Sequence, residues 1–297
     1  MIWLWATTLL WAFSFGLIKR HLSGIDPLWI AAVRLILAGL VFLPFVRLGG
    51  LPRRERLVLP AIGALQFGLM YVLYLQAFTW LPAYQVALFS LTTPLYVVAI
   101  ASGFRREMLP GSVWTAGALA VVGALIIRFQ GMPAWEGLTG ILLMQGANLA
   151  FAAGQVAYAA WARSHPRIPQ RSIMALLFLG GLGAVVLAAI PLGMDVHLPR
   201  QPAAWITLLY LGTVASGLGF FCWNRGAARV TPGQLAVMNN AVIPVAVLVS
   251  LLLFREAADF GLADWTRVLA GSSLLLVAGH LARPDAVNNR RGATTAG

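Results

Sequence analysis

The side chains placed to act on a ligand inside the apolar stretches of this chain are amides, hydroxyls and aromatic rings. At about 100° per residue, Gln145, Asn148, Ala152 and Gln155 fall on one helix face with Tyr158 at its edge, and Gln85, Phe89, Thr92 and Tyr96 share another. Phe67, Met70, Tyr71, Tyr74 and Phe78 form an aromatic sector, and Thr213, Ser216, Gly217, Phe220, Trp223 and Asn224 form a mixed one. Thr7, Trp11 and Ser14 lie together near the start, while Gln234, Met238, Asn239 and Asn240 come from a later stretch. The two asparagines are adjacent and diverge, so one of them faces inward. Such groups exchange hydrogen bonds with a small polar solute and cover its apolar part. A ring face can also hold an ammonium group, worth about 0.5 to 2 kcal/mol.

The candidate ligand-binding set is therefore Trp11, Ser14, Tyr71, Tyr74, Gln85, Phe89, Tyr96, Gln145, Asn148, Gln155, Phe220, Trp223 and Asn239. For the amides the plain alternative is bonding to neighbouring helices, and for the rings it is packing or an interfacial belt. Because amides aimed at lipid are costly, at least two of Gln145, Asn148 and Gln155 are expected to line a cavity.

Reactive groups are scarce. Ser272, Ser273 and His280 share one helical stretch, but at 1.5 Å per residue they stand about 10 Å apart, too far for a nucleophile and base that must meet at about 3 Å. There is no HExxH pattern or paired intramembrane aspartate, and the single cysteine, Cys222, leaves no CxxC motif. No catalytic residue, metal site or cofactor is predicted. The acids Asp26, Glu55, Glu107, Glu136, Asp195, Glu256, Asp259, Asp264 and Asp285 fall in connectors, at stretch ends or in the tail. A carrier of cations commonly needs an acid at mid-membrane, so a neutral or zwitterionic solute with weak or no coupling to protons is expected. Arg34 lies within a stretch, where the expected role is bonding to backbone carbonyls or a helix end, with anion recognition second.

The elements that must position these groups follow from composition. The 297 residues are 60% hydrophobic and 10% charged, with mean hydropathy +0.82; soluble domains carry about 25% charged residues. This is an integral membrane protein. Its net charge of +12 sits in short connectors, which points to anionic lipid rather than nucleic acid as the counter-charge. A bilayer requires about 20 apolar residues per helix. Ten runs qualify: 2–18, 28–46, 57–78, 83–104, 112–128, 137–161, 172–191, 203–223, 233–254 and 264–281, hereafter the first to tenth spans. The first has no basic residue before it and reads as a retained helix rather than a cleaved signal.

An internal repeat organises these spans. An offset of 150 residues lays Pro82 on Pro232, Pro94 on Pro244 and Phe104-Arg105 on Phe254-Arg255. A proline within a long apolar run removes a backbone hydrogen bond and bends the helix, so Pro94 and Pro244 are expected hinges. Five spans per copy is an odd number, which inverts the second copy relative to the first. Lys and Arg concentrate on one side, fourteen against five, which predicts cytoplasmic N- and C-termini. The expected fold is an all-α membrane protein of ten transmembrane helices in two inverted five-helix repeats, residues 1–133 and 134–282, with a disordered cytoplasmic tail at 283–297. Inverted repeats around a polar midplane characterise alternating-access carriers.

Leu10-Trp11-Ala12-Phe13-Ser14-Phe15 followed by Lys19, with Pro27 and Arg34 in the next span, resembles the opening of the EamA family of the drug/metabolite transporter superfamily. The proline-centred fourth and ninth spans, closing near Arg106-Glu107 and Arg255-Glu256, fit the same pattern. The resemblance covers residues 1 to 282 and implies ten helices, a cavity built from the first, third, fourth, sixth, eighth and ninth spans, and export of small metabolites such as amino acids from the bacterial inner membrane. A channel-like facilitator or lipid scramblase is the alternative. The expected partners are a small-molecule substrate and membrane lipids, in a monomer or homodimer.

Overall fold

The computed structural model describes residues 2–105, 134–196, 198–230 and 260–281, with positions 115, 118, 119, 122, 123, 126, 234, 235, 238, 239, 242, 246, 247, 249–255 and 258. Among these residues every regular element is helical and none is a strand. Lipid offers backbone groups no hydrogen-bond partner, so each span must satisfy its own. Seven spans of the described residues are long and apolar enough to cross a membrane: Ile2–His21, Pro27–Phe45, Glu55–Trp80, Ala83–Gly103, Gly137–Ser164, Met174–Leu192 and Pro202–Ala227. The tenth span is a continuous helix, Leu262–Leu281. Most of the fifth span and about half of the ninth, with Pro244, Pro232 and Asn240, lie outside the described residues.

Local sequence explains where the helices begin and where they depart from α geometry. The second span starts as Pro27–Phe42 with Asp26 as its cap: Asp26 Oδ1 accepts from Trp29 N at 2.9 Å and Pro27 occupies the first turn, where its missing N–H costs nothing. The third span runs Glu55–Gly63, then a π-helical segment Ala64–Leu69, then Met70–Trp80. The eighth repeats that plan with Pro202–Leu209, a π-helical segment Tyr210–Leu218, and Gly219–Ala227. The offset of 150 carries 64–69 onto 214–219, so the two irregular segments overlap in the aligned halves.

The fourth span is broken. Ala83–Phe89 gives way to a 3-10 turn, Ser90–Thr92, before Thr93–Arg105 resumes with Pro94 in its first turn. Pro94 has no N–H to offer Ser90, and the Thr93 hydroxyl bonds that carbonyl instead, at 2.8 Å. The preceding carbonyl, of Phe89, accepts from Asn148 Nδ2 at 2.9 Å.

Glycines allow the helices to pack at backbone distance. A Cβ on Gly63 would stand 1.9 Å from Leu177 O, and one on Gly180 would stand 1.9 Å from Pro60 O, so the third and seventh spans meet main chain to main chain. Gly146, Ala150 and Gly154, four apart in the sequence, make a small-residue side of the sixth span that meets the third, with Gly146 against Leu73 and Gly154 against Gln66. Close contact through small residues is how helices associate where lipid removes the hydrophobic drive.

Candidate functional site

A cavity of about 110 Å³ lies between the first, second, third, fourth, sixth, eighth and ninth spans. Its walls bring together eight of the expected residues: Trp11, Ser14, Tyr71, Tyr74, Asn148, Phe220, Trp223 and Asn239. The rings form a continuous aromatic wall. Trp11 lies 5.2 Å from Phe220 and 5.1 Å from Trp223, and Tyr71 lies 5.8 Å from Phe220. Trp11 is held by its Nε1, which donates to Ala215 O at 2.8 Å, within the π-helical segment of the eighth span. Asn148 uses Nδ2 twice, toward Phe89 O and Thr92 Oγ1, both at 2.9 Å. Its Oδ1 is left as an acceptor.

The other expected residues are outside this wall. Gln145 Oε1 accepts from Thr92 Oγ1 at 2.7 Å and from Tyr96 OH at 3.2 Å, tying the sixth span to the fourth and occupying Tyr96 in the same bond. Gln155 is fully buried, its Oε1 accepting from Trp223 Nε1 at 2.9 Å and from Asn239 Nδ2 at 3.3 Å. Gln85 is buried and donates to Tyr84 OH at 3.1 Å, and Phe89 is packed in the core. The expectation that two of the three sixth-span amides line the cavity is therefore corrected: Asn148 alone does, because the others already bridge to neighbouring helices.

The walls also hold residues that the face analysis did not select, among them Phe15, Arg34, Ser90, Thr93, Phe151 and Val242. Two had a signal in the sequence. Phe15 is one turn beyond Trp11, and Phe151 is three positions after Asn148, on the same face. Ser90 and Thr93 reach the cavity because the helix is broken at their position, which periodicity does not reveal.

Arg34 departs from its expected role. It is buried, and it bonds hydroxyls rather than backbone carbonyls: Nε donates to Ser216 Oγ at 3.2 Å and Nη2 to Tyr71 OH at 2.7 Å. The two hydroxyls stand 2.8 Å apart, and Ser216 passes its own proton to Leu211 O at 2.6 Å. The guanidinium also lies 4.3 Å from the centre of the Tyr71 ring. Ser216 comes from the π segment of the eighth span, and Tyr71 from the first turn of the α-helix that follows the π segment of the third.

At one end of the bundle Glu55, the first residue of its helix, is buried against the sixth span. Its carboxylate accepts a short hydrogen bond from Trp161 Nε1 and lies 4.0 Å from His165 Nε2, while His165 stacks on Trp161 at 4.7 Å. Among the described residues no group of His, Cys, Asp and Glu is arranged to hold a metal ion.

The cavity, walled by rings and entered by a few polar groups, has the make-up of a small-molecule site. Comparison with known proteins agrees with a carrier. The model of the EamA-like transporter family matches residues 1–129 and again 138–277. A protein of Pseudomonas aeruginosa named "Probable biotin transporter" is 40% identical over 263 residues, 87% of this chain and 91% of that protein. The "Biotin transporter" of Escherichia coli (strain K12) is 36% identical over 91% of this chain and 88% of its own length. More distant, at 23% over 88% of this chain and 89% of the relative, is a "Probable amino-acid metabolite efflux pump" of Salmonella typhimurium. A protein of known crystal structure, 20% identical, superposes with a TM-score of 0.66 over 95% of this chain and 94% of the other, a likeness of fold. With its family model matched across nearly the whole length, this chain is a multi-pass membrane protein of the EamA-like transporter family.

Proposed function

We propose that this chain carries biotin, or a solute of the same build, across the bacterial inner membrane by alternating access. The observation that carries the reading is the 36 to 40% identity to biotin transporters along nearly their full lengths. Biotin joins a polar urea ring to an apolar thioether ring and an aliphatic chain. The cavity offers matching surfaces: aromatic faces from Trp11, Phe151, Phe220 and Trp223, and amides from Asn148 and Asn239. Amino-acid export, the expectation from sequence, becomes the second reading, since relatives named for amino acids are only 23 to 24% identical.

In this reading the two repeats, residues 1–133 and 134–282, rock against each other about Pro94 and Pro244, with both termini cytoplasmic. At about 110 Å³ the cavity is below the 300 to 1,000 Å³ of a typical ligand pocket, as expected of a contracted state that widens to admit solute. Proteoliposomes preloaded with unlabelled biotin test the reading. Saturable accumulation of external labelled biotin by counterflow is expected, without competition from amino acids. Flux that never saturates would replace the carrier by a pore, and selective competition by amino acids would promote the second reading.

A further inference from the structure

Two buried polar atoms in the cavity wall have no protein partner among the described residues, Arg34 Nη1 and Ser14 Oγ. Each belongs to a residue more than nine-tenths buried, Arg34 at 4% exposure and Ser14 at 5%. The bonds that Arg34 does make are to neutral groups. Its Nε and Nη2 donate to Ser216 and Tyr71, and the proton of Ser216 continues to Leu211 O, so neither hydroxyl supplies a negative charge. A buried guanidinium without a counter-ion is costly, and charged side chains within a membrane face a cavity and mark the path of a ligand. The hydroxyls fix the plane of the guanidinium from one edge. Nη1, which with Nη2 makes a fork suited to two oxygens at once, is left without a partner on a residue that lines the cavity, and the Ser14 hydroxyl is a second such donor on the same wall.

From this geometry we propose that Arg34 and Ser14 form a carboxylate subsite and that the transported solute is a monocarboxylate whose acid group completes the charge of the binding site. The inference rests on the carrier reading above and names the end of the solute that the cavity holds by charge. It also replaces the neutral or zwitterionic solute expected from sequence. In the bound state the carboxylate accepts from Arg34 Nη1 and from Ser14 Oγ, and the aromatic wall covers the apolar remainder. A solute with the same skeleton but an amide in place of the acid leaves the arginine without its anion and binds weakly.

The test uses the full chain in lipid nanodiscs and two acid/amide pairs, biotin with biotinamide and 5-phenylvalerate with 5-phenylvaleramide, with affinities read from thermal shifts. In the unmodified protein each acid should bind at least about tenfold more tightly than its amide, the scale of one hydrogen bond to a charged group. Arg34→Gln should weaken both acids and so remove that preference, and Arg34→Lys should restore part of it. Ser14→Ala should weaken the acids by a few fold. Preference for both acids, or for 5-phenylvalerate alone, supports the subsite; in the latter case biotin as the solute is abandoned and the carboxylate rule stands. Equal binding of biotin and biotinamide keeps the vitamin reading and overturns this one. Acid binding that survives Arg34→Gln, or no shift with either acid, also overturns it. The acid/amide comparison in the unmodified protein needs no variant to fold.

Discussion

At the scale of single residues, the main lesson is that a polar side chain in a membrane helix has two possible occupations, and its neighbours decide between them. Gln155 looks like a ligand contact in a helical projection, yet its oxygen is shared between Trp223 and Asn239. Replacing it should therefore act first on stability. Gln155→Leu strands the buried Trp223 Nε1 at about 1 to 3 kcal/mol, while Asn239 Nδ2 keeps Leu235 O, and a lower unfolding temperature in detergent is expected before any specific change in solute affinity. An unchanged melting temperature with lost binding would return Gln155 to the binding set. Asn148 has both occupations, since its nitrogen ties the sixth span to the broken fourth while its oxygen remains beside the cavity.

At the scale of elements, close packing and helix breaks govern the behaviour. Gly180 and Gly183 lie on the same helix, Met174–Leu192, but a Cβ on the former meets Pro60 O at 1.9 Å whereas one on the latter meets nothing within 4 Å. Gly180→Ala should thus lower the melting temperature by overpacking, roughly 1 to 3 kcal/mol. Gly183→Ala should leave it unchanged or raise it slightly, by up to about 1 kcal/mol of helix propensity. Thermal unfolding followed by size-exclusion chromatography separates the two, and equal effects would mean that the third and seventh spans do not touch as described. The broken fourth span makes a kinetic prediction. Pro94→Ala restores an N–H that can reach the Ser90 carbonyl and favours a continuous helix, so counterflow should slow while equilibrium affinity for biotin stays within a few fold. These elements were unequally legible in the sequence. The small face of the sixth span is visible as a spacing of four and meets the third span, and Pro94 marks the break at Ser90–Thr92. The π-helical segments left no mark in composition, because an extra residue per turn is selected by tertiary contacts such as Trp11 with Ala215 O. Periodicity counted at a constant angle drifts across them: of the eighth-span face Phe220 and Trp223 line the cavity, whereas Ser216 bonds Arg34 and Asn224 bonds Gln66.

For the whole molecule, the proposed inversion of the two repeats predicts which ends share a side. Ser23 and Arg54 are exposed, in successive connectors on either side of the second span. In a Cys222→Ser background, Ser23→Cys should react with an impermeant maleimide from outside the cell and Arg54→Cys only after the membrane is opened; the reverse pattern would turn the orientation upside down. Family membership was legible from the first span and the repeat, whereas the identity of the solute was not. That identity depends on which polar groups remain unoccupied once all helices have packed, and Arg34 is informative because Tyr71 and Ser216 fill one edge of it and leave Nη1 without a partner.

The paired π segments tie solute capture to chain length itself. A π turn stores one residue more than an α turn, so deleting a single residue from Tyr210–Leu218 would let that stretch relax to ordinary periodicity. Phe220 and Trp223 downstream would keep their direction, because the turn itself gives up the surplus residue, but α geometry would return Ala215 O to Gly219 N and take it from Trp11 Nε1. A chain one residue shorter at Gly212 should keep its helical circular dichroism and its place in the membrane while holding its cargo more weakly, because Trp11 has lost its anchor.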